Sequence, residues 1–425
     1  MATLISLRWE PALASGLPRR DRQGCDYEAY LPDTLTDRWI TLDGNVAADV
    51  TDAEAAVTRL NTEAVALSDS EALARLLLRA EAVASSQIEG LQIGARRLLR
   101  AEAARAAGEN SFDVTAEEIL GNIGAMAWAT AVVAQADQIT IDHLIEIHRR
   151  LLAGTRLDDR AGRIREDQNW IGGSGFNPCS ARFVPPPPEH VLRLLDDLCA
   201  FCNRDDLPAI AQAAIAHAQF ETIHPFADGN GRTGRALIHV VLRRRGLAPR
   251  VVPPVSLILA TWANEYVDAL TGTRYVADPT SPAAHNGLNR WVALFAAAMV
   301  RAVRDVQGYE DRIRGLQATW RKGLGQVRRN SATELLLSAI TGAPVVTVAS
   351  ASELIHRSFQ ATNEAVNRLV EAGILTPVKI GRRDRAFEAA ELIEAFTDLE
   401  RQAASPDGDT RISPPSRATP RRPRA

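Results

Sequence analysis

"HPFADGNGRTGR", residues 224–235, is the stretch that decides the fold and its site. It holds one histidine, one aspartate, three glycines, one asparagine and two arginines, although alanine, leucine and other helix formers surround it. Asn230 is a good helix N-cap, and Leu237 and Val241 lie one turn apart on an apolar stripe after it. The spacing therefore predicts a helix that begins at this glycine-rich loop.

The two arginines of this helix indicate an anion site. At about 100° per residue, Arg232 and Arg235 lie within about 60° of one another on the face opposite the apolar stripe, so both are expected to point away from the core. A helix start offers unpaired N–H groups, and glycines at 229 and 231 let a bulky anion approach them. Because forked arginine donors suit phosphate oxygens, the stretch predicts a polyphosphate site.

Two further residues add chemistry to the phosphate site. Asp228 immediately precedes it, where a carboxylate would repel phosphate unless a Mg²⁺ ion lay between them. His224 lies four residues earlier, and histidine is the residue best matched to taking a proton near neutral pH. Each residue alone is compatible with a simple turn, but together they predict group transfer from a nucleotide.

The residues GNGRTG, 229–234, also match GxGxxG, the pattern of dinucleotide-binding and kinase phosphate loops. Both of those loops follow a β-strand, whereas this one follows the helical run LPAIAQAAIAHAQFETIH at 207–224. The stretch also lacks the Lys-Ser or Lys-Thr pair of a P-loop. The context therefore argues against these phosphate-loop folds.

Length and composition set broad limits. A chain of 425 residues is expected to hold two or three domains. A net charge of −3, with 24% charged and 46% apolar residues, does not indicate a polyanionic partner. No apolar run approaches the roughly 20 residues of a membrane span, so we expect a cytoplasmic protein without a membrane partner. In a reducing compartment the cysteines are expected to be buried or idle thiols: Cys25, Cys179, Cys199 and Cys202.

Helical periodicity dominates the chain, which predicts a mainly α fold. Residues 1–65 begin as an irregular arm that leads into a helix. Between Trp170 and Val184, apolar residues flank a cluster of Gly, Asn and Pro, as two short strands would flank a hairpin turn.

The C-terminal region shows three helical segments and then two short strands, which is the layout of a winged helix-turn-helix. Its candidate recognition helix, 360–372, sums to a charge of −1, and strong phosphate binding needs more positive charge than that. The sequence leaves open whether this module binds DNA, docks a protein or forms a homodimer. Positive charge is concentrated in the expected wing turn: Arg382, Arg383 and Arg385.

The 224–235 stretch matches HxFx(D/E)GNGRxxR at every defining position, and the chain thereby resembles the Fic family, whose members mostly transfer AMP from ATP to a protein hydroxyl. The resemblance covers roughly residues 60–300, because RIREDQNWIGGS at 163–174 and FVPPPPE at 183–189 resemble the family's substrate-positioning flap. It implies a Fic-type helical core with a β-hairpin flap, along which a protein target docks at 169–184.

The resemblance also implies residue roles. His224 would deprotonate the target side chain, and Asp228 would hold Mg²⁺ against the α- and β-phosphates of ATP. Arg232 would contact the β-phosphate and Arg235 the γ-phosphate. The lysine that Doc-like kinases carry in the GNG loop is absent, so phosphotransfer is not expected. The other implied ATP-binding positions form the anion hole and the helix start: Gly229, Asn230, Gly231, Thr233 and Gly234.

A second resemblance concerns regulation. SSQIEG, 85–90, resembles the (S/T)xxxE(G/N) inhibitory motif that precedes the core in one class of the family, with Ser85 and Glu89 at its defining positions. It implies that Glu89 pairs with Arg235 and keeps ATP in an unproductive position. A carboxylate at the end of a helix is unfavourable by roughly 0.3 to 1 kcal/mol, which a positive partner would offset. A solvated surface glutamate is the alternative.

Tyr266 is the expected adenine contact, because ANEYVDAL resembles a family stretch in which an aromatic residue meets the base. A buried core tyrosine is the alternative.

The expected organisation is an N-terminal arm with the inhibitory helix at 1–110, a catalytic core at 111–300, a linker helix with the winged helix at 301–400, and a disordered tail at 401–425. The expected function is autoinhibited transfer of AMP from ATP to a Ser, Thr or Tyr hydroxyl of a protein. The alternatives are a nucleotide-sensing, DNA-binding transcription regulator and an enzyme that mainly removes AMP.

Overall fold

Helical spacing of apolar residues governs most of the chain, and the computed structural model is accordingly mainly α. It describes residues 1–10, 18, 21–66, 70–108, 113–380 and 384–419. The helices are α1 (Gly44–Ala66), α2 (Ser70–Ile88), α3 (Ala95–Ala106), α4 (Val114–Ala131), α5 (Ile141–Leu152), α6 (Pro188–Cys202), α7 (Ala209–Ile223), α8 (Asn230–Arg244), α9 (Val255–Thr261), α10 (Ala263–Gly272), α11 (Pro282–Leu324), α12 (Ala332–Ala339), α13 (Val348–Ile355), α14 (Phe359–Glu371) and α15 (Ala390–Ala403). The strands are β1 (Thr3–Trp9), β2 (Cys25–Leu31), β3 (Val345–Thr347), β4 (Thr376–Ile380) and β5 (Asp384–Glu388).

Helices α7 and α8 form the centre of the core. Helix α7 is apolar on nearly every face and is buried along its whole length apart from Glu221, which is half-buried. The first thirteen residues of α8, 230–242, are buried as well. Helices α2, α4 and α5 pack against α8, while α1, α6 and α11 pack against α7. The loop between α7 and α8 is therefore held between two helices that cannot shift without opening the core.

The described part of the N-terminal arm contains two strands, contrary to the expected irregular segment. Strands β1 and β2 form an antiparallel pair in which Thr3 lies opposite Leu31 and Trp9 lies opposite Cys25. The alternation of side chains in TLISLRW gives one face to the protein and one to solvent. This pattern of period two is short, and the irregular composition around it obscured it.

Two of the four cysteines are not thiols, which corrects the sequence expectation. Cys25 of β2 forms a disulfide with Cys179, so the arm is covalently tied to the segment predicted as the flap. Cys199 and Cys202 are buried thiols, as expected, and burial raises the pKa of Cys199 to about 12. Sequence spacing could not show the disulfide, because its two cysteines are 154 residues apart.

The predicted hairpin at 169–184 is reduced to a single β-bridge between Ile171 and Phe183. Gly172 and Gly173 follow Ile171 with φ of 75° and 74°, which ends the extended conformation at once. The segment then forms a short 3-10 helix at Pro178–Ser180 instead of a return strand. Backbone hydrogen bonds of Ile171 with Arg182 and Phe183 are the part of the expected strand pairing that forms.

The C-terminal region contains the three expected helices α12, α13 and α14, followed by the hairpin β4–β5. A third strand, β3, was not expected, and it pairs antiparallel with β5 to give the strand order β3-β5-β4. Arg382 and Arg383 of the expected wing turn lie outside the described residues. This sheet packs against α3, which follows residues 85–90 in the chain.

The expected domain boundary at residue 300 does not coincide with a helix end. Helix α11 runs through residue 300, so the expected boundary between core and linker falls inside one continuous helix. The expected boundary at 110 lies outside the described residues. Within the described part of the chain, no helix combines the length and the apolarity that crossing a membrane requires.

The expected disordered tail also differs from the structure. Residues 401–403 complete α15, and the segment after it folds back, with the backbone N–H of Ser416 donating to the Ala404 carbonyl at 2.8 Å. The segment after α15 thus lies back against the end of that helix and is held there by hydrogen bonds. It has no apolar pattern that the sequence could reveal. Residues 420–425 of the tail lie outside the described residues.

The disulfide gives a prediction about stability. Replacing both Cys25 and Cys179 by serine is expected to lower the melting temperature, since closing a loop of 154 residues contributes about 5 kcal/mol by chain-entropy reasoning. Thermal unfolding of both proteins should be followed with and without a dithiol reductant. The reductant should lower the melting temperature of the unsubstituted protein alone, and mass spectrometry that finds Cys25 and Cys179 free before reduction would contradict the pairing.

Candidate active site

The loop between α7 and α8 reverses the chain through two left-handed residues. His224 ends α7 at φ 49°, with its backbone N–H donating to the Phe220 carbonyl at 2.9 Å, and Gly229 precedes α8 at φ 76°. The side chain of Asn230 closes the loop, because it accepts from the N–H of Phe226 and donates to its carbonyl, both at 2.8 Å. Helix α8 thus begins where the sequence predicted, but Asn230 braces the loop as the first helical residue and is not an N-cap.

The histidine of the loop is held as a neutral imidazole. Burial lowers the pKa of His224 to about 4, although the Glu221 backbone carbonyl raises it in part. The carbonyl of His224 accepts from Arg165 Nε at 2.9 Å and from Asn169 Nδ2 at 3.2 Å, which fixes the position of the backbone. The imidazole is therefore in the form that can accept a proton.

Arg232 offers unused donors at the start of α8. The residue is 4% exposed, and its Nη2 donates to Asp228 Oδ1 at 3.3 Å. Its Nε and Nη1 are buried and have no hydrogen-bond partner among the described residues. The Asp228 carboxylate itself is half-exposed. Because leaving buried donors of a charged group unpaired is unfavourable, this position is suited to an anion.

Arg235 is fully engaged by the preceding helix. Its Nε donates to Ser85 Oγ at 2.9 Å, and its Nη2 donates to the Ser85 carbonyl at 2.8 Å and to Glu89 Oε1 at 2.7 Å. Burial would raise the pKa of Glu89, but the charge and hydrogen bond of Arg235 outweigh this and lower it. The structure thus brings Arg235 to Ser85 and Glu89, from which it is separated by 150 and 146 positions in sequence.

One geometric expectation for the arginines is wrong. Arg232 and Arg235 were expected to point away from the core, yet they are 4% and 1% exposed. Helix α2 packs against α8, and its Ser85 contacts the Arg235 guanidinium. The angular argument placed both side chains on one face correctly, but it could not show that another helix would occupy the space in front of them.

Glu89 lies directly over the helix start. A Cβ atom at Gly231 would overlap Glu89 Oε1 and would also approach Arg235 Nη1 within 2.9 Å. Only glycine therefore leaves room for the carboxylate beside the backbone. The negative charge of Glu89 occupies the place that helix geometry makes suitable for a phosphate.

Two expected ATP-binding positions face the core. A Cβ atom at Gly234 would lie 2.9 Å from Phe220 Cδ1, so this glycine permits close packing of α8 on α7. Thr233 is fully buried. The helical rotation between 232 and 235 turns Gly234 toward α7, where its nearest atoms belong to Phe220, Glu221 and His217.

Tyr266 is 4% exposed, and its hydroxyl lies 2.7 Å from His217 Nε2. Burial lowers the pKa of His217 to about 3, so the imidazole is neutral beside the tyrosine. A buried hydroxyl paired with a buried histidine is typical of the alternative, a tyrosine of the core. Tyr266 also lines a cavity of about 210 Å³, together with Gln87, Ile88 and Arg417.

Sequence reasoning missed two residues that shape the loop. His148 stacks on Phe226 with 3.8 Å between ring centroids, and burial lowers its pKa to about 4. Since its Nδ1 accepts from the N–H of Gly162 at 3.0 Å, its Nε2 carries the proton and donates to the Asp228 carbonyl at 3.0 Å. Arg165 is the second, and its Nε donates to the His224 carbonyl. It lies in RIREDQNW, a stretch that the sequence analysis assigns to the flap.

Together these features define an anion-binding class of site: a helix start with free donors, a neutral histidine and a carboxylate beside it. Residues 138–242 match the model of the Fic/DOC family, and residues 47–131 match that of the Fic/DOC family N-terminal region. This part of the chain belongs to the Fic/DOC family.

Related proteins agree with this assignment. Protein adenylyltransferase fic-1 of Caenorhabditis elegans is 35% identical over 169 residues, which are 38% of this chain and 31% of that protein. Protein adenylyltransferase Fic of Drosophila ananassae is 35% identical over 140 residues, which are 32% and 26%. The chain thus spans about a third or less of these relatives. A Fic family protein from Desulfovibrio desulfuricans G20 shares the fold, with a TM-score of 0.50 and 19% identity over 82% of this chain and 97% of that chain.

The protonation state of His224 can be measured directly. Because burial lowers its pKa to about 4, we expect the imidazole to stay neutral as the pH falls from about 8 to about 5, where an ordinary histidine would already carry a proton. Imidazole chemical shifts should be followed against pH, with the His224→Ala variant identifying the resonance. A midpoint near 6.5 would contradict a buried, neutral base.

The loop brace can be tested by stability. Asn230→Ala removes two hydrogen bonds and leaves the buried N–H of Phe226 unpaired, while the Phe226 carbonyl keeps its bond from Asn169, so the free energy of unfolding is expected to fall by about 1 to 3 kcal/mol. Asn264→Ala, at an exposed position of α10, is the matched control and should change it by less than about 0.5 kcal/mol. Urea unfolding measures both, and equal effects would show that Asn230 does not brace the loop.

Proposed function

We propose that this chain is an autoinhibited protein adenylyltransferase, which transfers AMP from ATP to a Ser, Thr or Tyr hydroxyl of a protein target. The observation that carries the proposal is the pairing of Glu89 with Arg235 directly over the start of α8. The relatives named protein adenylyltransferases support it over the part of the chain that they match.

The start of α8 would hold the nucleotide. The backbone of 229–231 and the unpaired donors of Arg232 suit the phosphates of ATP. Asp228 would hold Mg²⁺, which proteins commonly bind through one or two carboxylates together with substrate phosphates. Its half-exposed carboxylate beside Arg232 fits that role, and the bound ion would neutralise phosphate charge.

His224 would act as the general base. Its neutral imidazole would take the proton of the target hydroxyl as the hydroxyl oxygen attacks the α-phosphorus. The bond to the bridging oxygen then breaks, so AMP is joined to the target and pyrophosphate leaves. The fixed carbonyl of His224, bound by Arg165 and Asn169, orients the base for this step.

Autoinhibition would follow from competition for Arg235. While Glu89 and Ser85 use its donors, Arg235 cannot bind the γ-phosphate, and the Glu89 carboxylate repels phosphate from the space over Gly231. ATP would then bind with its α-phosphorus out of line for attack. Removing the carboxylate would leave Arg235 as a buried cation that accepts the γ-phosphate instead.

The target would dock along 169–184, which Asn169 keeps beside the loop, because its Nδ2 donates to the carbonyls of His224 at 3.2 Å and Phe226 at 3.1 Å. We further infer a winged helix at 332–388. The region contains three helices and a three-stranded sheet, in the chain order α12, β3, α13, α14, β4 and β5. Helix α14 carries a net charge of −1, which favours protein docking over DNA binding. A homodimer through this module is a prediction that no observed contact addresses.

The expected location in the cytoplasm stays a prediction, and one observation argues against it. Disulfides persist mainly in oxidising compartments, and Cys25 is bonded to Cys179.

Removal of AMP is the second candidate activity. Glu89 is ionised, since its pKa is lowered, and it lies beside the proposed phosphate site, where it could activate a water molecule. Loss of label from purified AMP-modified target on incubation with this protein, but not with Glu89→Gln, would favour this activity.

The main test uses ATP labelled on the α-phosphate. Glu89→Gly is expected to raise self-labelling roughly tenfold or more, as is usual for removal of an inhibitory coupling. Adding His224→Ala should lower it about 100-fold or more, because the base is lost. Glu371→Gly, at the end of α14, is the matched control for loss of a helix-terminal glutamate and should resemble the unsubstituted protein.

ATP labelled on the γ-phosphate separates transfer of AMP from phosphorylation, and should leave no label on the protein. Equal, negligible α-labelling in every variant would sink self-adenylylation. Salt-dependent shifts of a DNA probe that need residues 332–388 would then support the transcription regulator.

A further inference from the structure

The body of α2 is fixed by buried polar contacts. Glu81 is fully buried and accepts from the N–H of Ser256 at 2.8 Å, and it lies 2.8 Å from His239 Nε2 of α8. Asn122 Nδ2 of α4 donates to the Ala82 carbonyl at 2.8 Å. Breaking such contacts leaves buried polar groups unpaired, so α2 cannot leave α8 as a rigid body without a large cost.

The last turn of α2 is different. Residues 80–86 are buried, whereas Gln87 and Ile88 are half-buried, the Glu89 side chain is 37% exposed and Gly90 is exposed. Backbone bonds from Glu89 to the Ser86 carbonyl at 3.1 Å and from Gly90 to the Gln87 carbonyl at 3.0 Å close this turn. Glu89 can therefore leave Arg235 through a rearrangement of one turn.

The C-terminal segment touches this turn. Arg417 Nη1 donates to Gln87 Oε1 at 2.8 Å, and its Nε donates to Thr261 Oγ1 at 3.2 Å. Its Nη2 lies 3.4 Å from the Glu400 carbonyl of α15. One guanidinium thus joins the turn that carries Glu89 to α9 and α15.

The segment is itself firmly anchored. Arg301 of α11 is 5% exposed and donates to the carbonyls of Pro406 at 2.8 Å and Ser405 at 3.0 Å. Ser416 Oγ donates to the Thr261 carbonyl at 3.2 Å, immediately before Arg417. These contacts fix the position of Arg417. Its hydrogen bond to Gln87 therefore restrains the last turn of α2.

We propose that residues 404–419 form a C-terminal clamp, which holds the last turn of α2 in the conformation that pairs Glu89 with Arg235. Release of Arg417 from Gln87 lets the turn rearrange and frees Arg235 for the γ-phosphate. The effect on labelling rests on the proposed function, whereas the restraint on the turn does not. Through Arg417 and Gln87, the clamp connects α15 to the turn that carries Glu89.

The test removes each partner of the contact in the full chain. Gln87→Met removes the acceptor and keeps Arg417 beside Glu400, and Arg417→Met removes the donor. Arg411→Met is the matched control, because that side chain lies on the same segment and is 92% exposed. Self-labelling from α-labelled ATP is measured together with hydrogen exchange of the amides of 86–91.

Gln87→Met and Arg417→Met are each expected to raise labelling and amide exchange about threefold to tenfold, the range of one partly exposed charge-assisted hydrogen bond. The double variant should equal either single variant, since both break the same contact. In the Glu89→Gly background neither change should raise labelling further, and Arg411→Met should change nothing.

Two outcomes overturn the clamp: exchange at 86–91 that is unchanged in Gln87→Met, or an equal rise in Arg411→Met. If Glu89→Gly itself fails to raise labelling, the proposed function fails, and hydrogen exchange still decides the clamp. Should Arg417→Met unfold because Glu400 loses its cation, Gln87→Met alone decides it.

Discussion

A buried guanidinium, that of Arg235, is the constraint on which the site and its surroundings depend. Burial alone would lower the pKa of Arg235, yet Glu89, together with Tyr266 and Glu221, raises it above its usual range. A cation so deeply placed needs an anionic partner, because an unpaired buried charge is among the most costly features a fold can carry. Glu89 meets this need in the structure described, and a nucleotide phosphate is the chemically equivalent partner. Any anion that binds must therefore displace Glu89 or bind beside it.

The rest of the site is rigid, which concentrates change in one place. His224 and Gly229 take left-handed conformations, and Asn230 and the stacked His148 brace the loop between them. Helices α7 and α8 are buried along most of their length, so neither can shift to relieve competition at Arg235. The last turn of α2 is the part of this arrangement that lies at the surface. Regulation that acts through Arg235 therefore has to act on that turn.

Local pattern predicted the features that depend on neighbouring residues. The helix start at residue 230, the shared face of Arg232 and Arg235 and the three C-terminal helices follow from periodicity and turn residues. The expected hairpin at 169–184 exceeded what forms, because Gly172 and Gly173 end the extended backbone. The β1–β2 pair was missed because the alternation that indicates a strand covers only seven residues in β1, and irregular sequence with Pro, Gly and Trp surrounds it. The expected disordered tail differed because a polar segment folds back by hydrogen bonding, which leaves no apolar pattern.

The sequence by itself determined the residue types of the candidate site: a histidine, an aspartate, three glycines and two arginines within twelve residues. It could do so because residues within a few helical turns have a spacing that backbone geometry dictates. Only the tertiary structure decided that Arg235 lies under α2, that Cys25 reaches Cys179 and that Arg417 reaches Gln87. Those contacts join residues 146, 154 and 330 positions apart. Over such separations the packing of whole helices sets the distance, and no periodicity in the chain encodes it.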